Sequence, residues 1–208
     1  SIDSQFMVGS GLLISPVLQE GQTTVNAYFP AAVWYNFFTG AVQGSANQGS
    51  FVMLDAPITT IPVSIRGGSI IPLQLPGLTT TSSRLNPFIL KVALDSNGNA
   101  NGHLYLDDGV TLNPREKGIY SQVSYQCNSA SSLFSTIDAS GYDTSHLYLN
   151  EVEIFGVASP VTTVFVNGVQ ASGNFRYDSD ANILNISGLV LKMDATWIIE
   201  WQSIAKDS

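Results

Sequence analysis

Pro62-Val63-Ser64-Ile65-Arg66-Gly67-Gly68-Ser69-Ile70-Ile71-Pro72 sets the reading of the chain. Two short runs rich in Val and Ile meet at a pair of glycines, and a proline bounds each outer end. Runs of this kind, stopped by Gly or Pro, read as strands joined by a tight turn. The same pattern extends outward. Upstream, residues 24–29 alternate and stop at Pro30, residues 33–38 are aromatic and stop at Thr39-Gly40, and residues 51–54 end in Asp55-Ala56-Pro57. Downstream, strand-like runs cover 88–94, 103–106, 119–125, 147–155, 163–166, 183–186 and 196–201. Asn97-Gly98, Asn101-Gly102 and Asn167-Gly168 fit type I′ hairpin turns, in which both central residues take positive φ. A 3.6-residue period is nearly absent. The chain is therefore expected to be all-β, with β-sandwich character. The polar, turn-rich stretch 74–86 is expected to separate two strand series.

Composition narrows the function. The 208 residues carry a net charge of −8, and only 12% are charged, against about 25% in an average protein. Eight Lys and Arg scattered along the chain do not build the basic patch that nucleic acid or an anionic membrane surface requires. No apolar run reaches the roughly 18 residues of a membrane-spanning helix. The chain opens at Ser1-Ile2-Asp3 rather than Met and soon enters the buried-looking run Gly11-Leu12-Leu13-Ile14-Ser15-Pro16-Val17-Leu18. This opening leads us to expect a cleavage product or fragment of a longer protein.

Candidate chemistry is sparse. The single cysteine, Cys127, reads as a small buried hydrophobe, with a bridge to another chain as the alternative. His103 and His146 are too few for a histidine-rich metal site. Asp107-Asp108-Gly109 follows a strand; the pair reads either as a calcium ligand or as a turn whose carboxylates accept nearby backbone N–H groups, and the turn is preferred. Neighbours on an extended strand point to opposite faces, so Asp107 and Asp108 do not make the acid and nucleophile of a glycosidase. Arg66 is either an anion ligand or a partly buried guanidinium satisfying backbone carbonyls, with Gly67 and Gly68 supplying backbone freedom; the second is preferred. Alternation places Trp34 with Phe38 on one face and Tyr35 with Phe37 on the other, one face being core and the second a candidate sugar platform. Asn185-Ile186-Ser187 is the single N-glycosylation sequon. No Gly-x-Ser-x-Gly elbow is found.

Five segments, in order, resemble the C-terminal part of glycoside hydrolase family 31, the α-glucosidase family. They are Gln5-Phe6-Met7-Val8-Gly9 with Leu12 to Leu18; Ala27-Tyr28-Phe29-Pro30 with Trp34-Tyr35 and Thr39-Gly40; the run from Ile61 to Pro72 with its Arg-Gly-Gly turn; Leu78 to Pro87; and Leu104-Tyr105-Leu106-Asp107-Asp108-Gly109. The resemblance is strong over residues 5–125 and weaker beyond. The Thr79-Thr80-Thr81 segment is most similar to fungal members. Leu106 departs from the family, which often has Trp before the Asp pair.

The resemblance implies a secreted, retaining exo-glucosidase that removes glucose from non-reducing ends of α-glucosides such as maltose. It implies residues 1–22 as the last strand and exit of a (β/α)₈ barrel, 23–84 as a proximal β domain and 85–208 as a distal β-sandwich. The catalytic aspartates would lie upstream of Ser1, so no catalytic residue, cofactor or metal ligand is assigned to this chain. Arg66, Gly67, Gly68, Asp107 and Asp108 take structural roles, and Asn185 is the glycosylation candidate. The implied partner is the catalytic chain that carries the rest of the barrel, and through it the α-glucoside substrate. A lone barrel strand at residues 10–18 would need hydrogen-bonding neighbours from that chain. The implied location is extracellular, or an acidic vacuolar or lysosomal compartment. Two other readings stand beside this one: a stand-alone carbohydrate-binding β-sandwich using Trp34, Tyr35 and Phe37 or Tyr142 and Tyr148, and a structural or adhesive sandwich.

Overall fold

The β-branched runs of the first third become seven strands in the computed structural model, which describes residues 2–171 and 174–204. These are β1 (Phe6–Val8), β2 (Leu12–Ile14), β3 (Thr24–Phe29), β4 (Trp34–Asn36), β5 (Val42–Gln43), β6 (Ser50–Asp55) and β7 (Val63–Arg66). Five of them form a sheet in the order β1-β2-β7-β4-β5, while β3 and β6 pair separately over six residues. Leu13, Ala27, Phe29, Trp34 and Leu54 pack between the two sheets. The Trp34 indole N–H donates to the Pro30 carbonyl at 3.0 Å, which satisfies its buried polar end. Gln5 works as a substitute strand edge: its amide nitrogen donates to the Tyr28 carbonyl at 2.7 Å, and its oxygen accepts the Tyr28 N–H at 2.8 Å.

The opening run finds its neighbours within the chain. Gly9, with φ +62°, turns β1 back onto β2. β2 then pairs antiparallel with β7 on its other side, and Ser15 N–H donates to the Pro62 carbonyl at 3.0 Å. The expected shortage of hydrogen-bond partners at residues 10–18 therefore does not arise at Leu12–Ile14.

Twelve further strands follow among the described residues. They are β8 (Ser69–Gln74), β9 (Phe88–Ala93), β10 (Ala100–Leu106), β11 (Ser121–Asn128), β12 (Ser132–Ser140), β13 (Tyr148–Phe155), β14 (Val161–Val166), β15 (Val169–Gln170), β16 (Phe175–Asp178), β17 (Ile183–Ile186), β18 (Leu191–Lys192) and β19 (Ile198–Ser203). Their hydrogen bonds run continuously in the order β15-β14-β19-β12-β11-β10-β8-β9-β13-β17-β16, with β18 on β13. Leu184 of β17 and Val164 of β14 share one core with Leu90, Tyr125 and Trp201. Strands this far apart in the order meet because the sheet folds over on itself as a sandwich. Alternating burial on β11 (Val123, Tyr125 and Cys127 inward; Gln122, Ser124 and Gln126 outward) is the period-2 pattern that closure requires.

The two strand series share a junction. Tyr35, Ile65, Ala93 and Phe155 form one buried cluster, and the Tyr35 hydroxyl donates to the Leu94 carbonyl at 2.9 Å. Lys91 pairs with Glu153 and lies 5.2 Å from the Phe37 ring centroid and 5.1 Å from that of Phe155. β8 lies before the expected division at residue 84 but pairs with β9 over six residues, so the second sheet begins at Ser69. The turn-rich segment between them holds a short helix, α1 (Thr80–Ser83), whose capping box joins the side chains of Thr79 and Ser82 to each other's backbone N–H.

Of the three Asn-Gly pairs, Asn167-Gly168 has positive φ at both residues and joins β14 to β15. At 97–98 only Gly98 is in the left-handed region, and the Asp95 carboxylate accepts the Asn97 and Asn99 N–H groups to fix the turn. Asn101-Gly102 is not a turn at all. It lies inside β10, where the missing side chain lets the strand press against β8.

Candidate functional site

The Arg-Gly-Gly turn is built for close approach. A Cβ on Gly67 would lie 2.8 Å from the Leu94 carbonyl oxygen and 3.0 Å from that of Val33, and Gly68 has φ +92°. Their N–H groups donate to the Val33 and Ala93 carbonyls at 2.7 and 2.8 Å. Arg66 differs from the partly buried guanidinium expected from the sequence. Its residue is exposed and borders an open cleft of about 450 Å³ with Asp95 and Ser96. Arg66 reaches solvent because it is the last residue of β7, at the Gly67-Gly68 turn; Ser64 on the same face of the strand, and its register partner Trp34, are buried. Gly67→Ala is therefore expected to cost about 1–3 kcal/mol through overpacking. Arg66→Ala should move stability of the chain by less than about 0.5 kcal/mol. Urea midpoints of the two variants measure the difference, and equal losses would reverse the assignment.

Asp107 and Asp108 each hold a turn. The Asp107 carboxylate accepts the Gly109 N–H at 2.8 Å, and Asp108 accepts the Val110 and Thr111 N–H groups at 3.1 and 2.8 Å. The Thr111 hydroxyl also donates to Asp108 and, with these backbone donors, lowers its pKa to about 2. Arg84 secures the other side of the turn by donating to the Asp107 carbonyl. Cys127 is wholly buried, and desolvation, with a contribution from Asp95, pushes its thiol up to about 12. Its reading as a core residue fits that environment. Asn185 sits mid-strand on β17 and donates from its side-chain nitrogen to Glu151 at 2.6 Å. It also borders a cleft of about 370 Å³ with Glu153, Arg176 and Asp178.

The aromatic platform at 34–38 does not form. β4 ends at Asn36, so alternation stops there; Trp34 and Tyr35 are both buried and belong to two different cores. Among the described residues, no group of three His, Cys, Asp or Glu side chains is arranged to hold a metal ion.

Two surfaces were not legible in the sequence. The first is apolar: Phe6 and Val8 on β1, Phe51 and Met53 on β6, and Leu18 are each more than half exposed. Phe51 and Met53 lie two apart on the outward face of β6, and Leu18 and Met53 border a common cleft. Outward-pointing Phe and Met on an alternating strand were the available signal. The second is a polar groove of about 510 Å³ bordered by β10 and β11. Here Arg115 donates to the Gln122 oxygen at 3.1 Å, while Gln122 donates to Asp138 at 3.3 Å and Ser124 donates to the same carboxylate. Arg115 comes from the short helix α2 (Pro114–Lys117) and Asp138 from β12, so sequence spacing gave no hint of the cluster.

Comparison with known proteins gives this architecture a context. The description "Glycosyl hydrolase family 31 C-terminal domain" matches residues 1–71. The chain is 37% identical to lysosomal alpha-glucosidase of Rattus norvegicus over 217 residues, covering 97% of this chain and 22% of that protein. It is 36% identical to alpha-glucosidase of Aspergillus niger, again over 97% of this chain and 21% of that enzyme. The solved structure of the Tris-bound glucosidase II alpha subunit superposes with a TM-score of 0.82 at 25% identity, over 97% of this chain and 24% of the other. The chain thus spans about a fifth of the length of the curated relatives it matches. A nearly all-β architecture, similarity along almost its whole length and a matching domain description over residues 1–71 agree: the chain belongs to glycosyl hydrolase family 31.

Proposed function

We propose that this chain is the non-catalytic C-terminal portion of a retaining α-glucosidase that releases terminal α-linked glucose from maltose and malto-oligosaccharides. Its part is to brace the catalytic barrel, which contributes the acid, the nucleophile and the substrate pocket. The observation that carries the reading is the apolar surface on β1 and β6. Phe51 and Met53 keep 62% and 64% of their surface in water, in a chain whose relatives are several times longer. Exposed apolar surface of this kind marks an interaction site. A docked β domain positions barrel loops indirectly, and a displacement of about 1 Å at reacting groups can cost on the order of 10²-fold in rate.

An extracellular or acidic vacuolar or lysosomal location, with a glycan on Asn185, belongs to the same proposal. The depressed pKa of Asp108 suits it. The turn's contribution is fully present above the ordinary carboxylate value of 3.8 and is lost only as pH falls through about 2.

In the enzyme containing this chain, Phe51→Ser combined with Met53→Ser should remove two buried side chains and about 3–6 kcal/mol of stability. The 208-residue chain alone should move by less than about 0.5 kcal/mol. Thermal melts of both forms, with NMR detection of the first glucose anomer released from maltose, test the reading. α-Glucose first, with loss of stability confined to the whole enzyme, supports it; β-glucose first or an unchanged enzyme melt refutes it.

A further inference from the structure

We propose that the outward face of β10, β11 and β12, together with the adjoining α2, is a binding groove for a neutral oligosaccharide. This does not depend on which enzyme the chain serves. The groove, of about 510 Å³, is bordered by five side-chain amides, those of Asn99, Asn101, Gln122, Gln126 and Asn128. A primary amide carries two donors and an acceptor oxygen. The Gln122 oxygen is taken by Arg115, one of its N–H groups by Asp138, and the Asn99 oxygen by the Ser129 N–H, so Asn101, Gln126 and Asn128 are the amides that face a ligand with their full set. A sugar hydroxyl also donates and accepts, so this lining matches a polyhydroxylated ligand better than a purely charged one would.

The charge pattern favours a neutral ligand. Asp138 is the single Asp, Glu, Lys or Arg on these three strands, and Asp95, which also borders the groove, is engaged by the Asn97 and Asn99 N–H groups. A face selected for solubility alone would carry mixed Lys and Glu. Arg115 and Asp138 are linked through opposite ends of the Gln122 amide, so the cluster's one cation and one anion are already matched. Ser124 donates to the same Asp138 oxygen as Gln122. These bonds fix the rotamers before ligand arrives, which lowers the entropy cost of binding.

An aromatic wall adjoins the amides. Tyr105 and Tyr120 stack with centroids 5.4 Å apart and planes inclined by 19°. The Arg115 guanidinium lies 5.4 Å from the first ring and 5.5 Å from the second, holding both. Both tyrosines are half-buried and so keep ring surface in solvent. The apolar C–H face of a pyranose packs on such a ring while its hydroxyls reach the amides, the use to which an amphipathic aromatic is suited.

Titration calorimetry of the 208-residue chain with maltoheptaose and with cellohexaose tests the proposal, using a sulfated oligosaccharide as the charged probe. At least one neutral probe should bind. Tyr105→Ala should weaken that binding about tenfold. Gln126→Ala, an exposed position that leaves the Arg115–Gln122–Asp138 chain of bonds intact, should weaken it about fivefold. Melting curves establish that both variants fold, and Gln126→Ala keeps the test alive if Tyr105→Ala does not. No binding of either neutral probe, binding unchanged in the folded variants, or preference for the sulfated probe would each overturn the proposal. Maltose hydrolysis is measured separately, so failure here is distinguishable from failure of the α-glucosidase reading.

Discussion

Phe155→Ala is expected to lower the unfolding free energy by about 3–5 kcal/mol, the range for removing a fully buried aromatic ring. At roughly 2–4 °C per kcal/mol for a chain of this size, the melting temperature should fall by about 6–20 °C. The ring has no exposed surface and lies 5.8 Å from the Tyr35 ring, centroid to centroid. The Lys91 ammonium lies over the Phe155 ring, 5.1 Å from its centroid. Loss of the ring opens a cavity between the sheet holding β4 and β7 and the sheet holding β9 and β13. Gly40 and Gly156 show how little slack there is: a Cβ on Gly40 would come within 2.8 Å of the Phe155 ring, and one on Gly156 within 2.3 Å of the Tyr35 hydroxyl. Because this core belongs to both strand series, the native chain should melt in one transition, and calorimetry checks that alongside the midpoint. Two resolved transitions in the native chain would mean that the sheets fold independently. Phe38→Ala is the control, since that ring is 59% exposed and should change stability little.

Much of the strand content was readable because its cause is local. Period-2 alternation with Gly and Pro stops locates most of the strands, and Asn167-Gly168 announces its hairpin. What was not readable depends on distant partners. Arg66 follows a buried run, but β7 is covered on both faces, with Ser64 and Ile65 both buried, and Arg66 is exposed because the strand ends there, which only its distant neighbours decide. Trp34 and Tyr35 suggested opposite faces, one dry and one wet, and both are buried because the chain packs a different core against each side of β4. The helix at Thr80–Ser83 did carry a local signal, a Thr with Ser three positions on, but one turn is too short to produce a 3.6-residue period. The hydrogen-bonded cluster beside the groove draws on α2, β11 and β12, and nothing in the spacing brings Arg115, Gln122 and Asp138 together. Family resemblance was legible earlier than geometry because its motifs are the places where backbone approaches backbone, as Gly67 shows.

Gly102→Ala should cost about 3 kcal/mol, the upper end of overpacking penalties, although the residue has an ordinary strand conformation. The added Cβ would lie 2.2 Å from the Ile70 carbonyl oxygen and 2.9 Å from both the carbonyl carbon and Cβ of that residue. The obstacle is mainly main chain, so no rotamer change relieves it. Either β10 moves off β8 or the local pairing breaks. β8 is held on its other side by six register pairs with β9, which leaves β10 as the strand that yields. The contact at risk is the Asn101 N–H donated to the Gly68 carbonyl at 3.1 Å, and its amide should lose hydrogen-exchange protection first. Gly168→Ala is the contrast: its φ of +77° carries backbone strain of about 1–2 kcal/mol, yet its Cβ meets nothing within 4 Å. The effect of Gly102→Ala also reaches the far side of the strand. Asn101 and His103 point outward from β10 and border the polar groove, so a shifted strand displaces part of that lining. Oligosaccharide binding should therefore weaken in Gly102→Ala and persist in Gly168→Ala, even where both variants remain folded. Equal binding by the two would separate the groove from the packing of β10 on β8, and unchanged stability of Gly102→Ala would mean that β8 and β10 are not pressed together as the pairing of Asn101 with Ser69 places them.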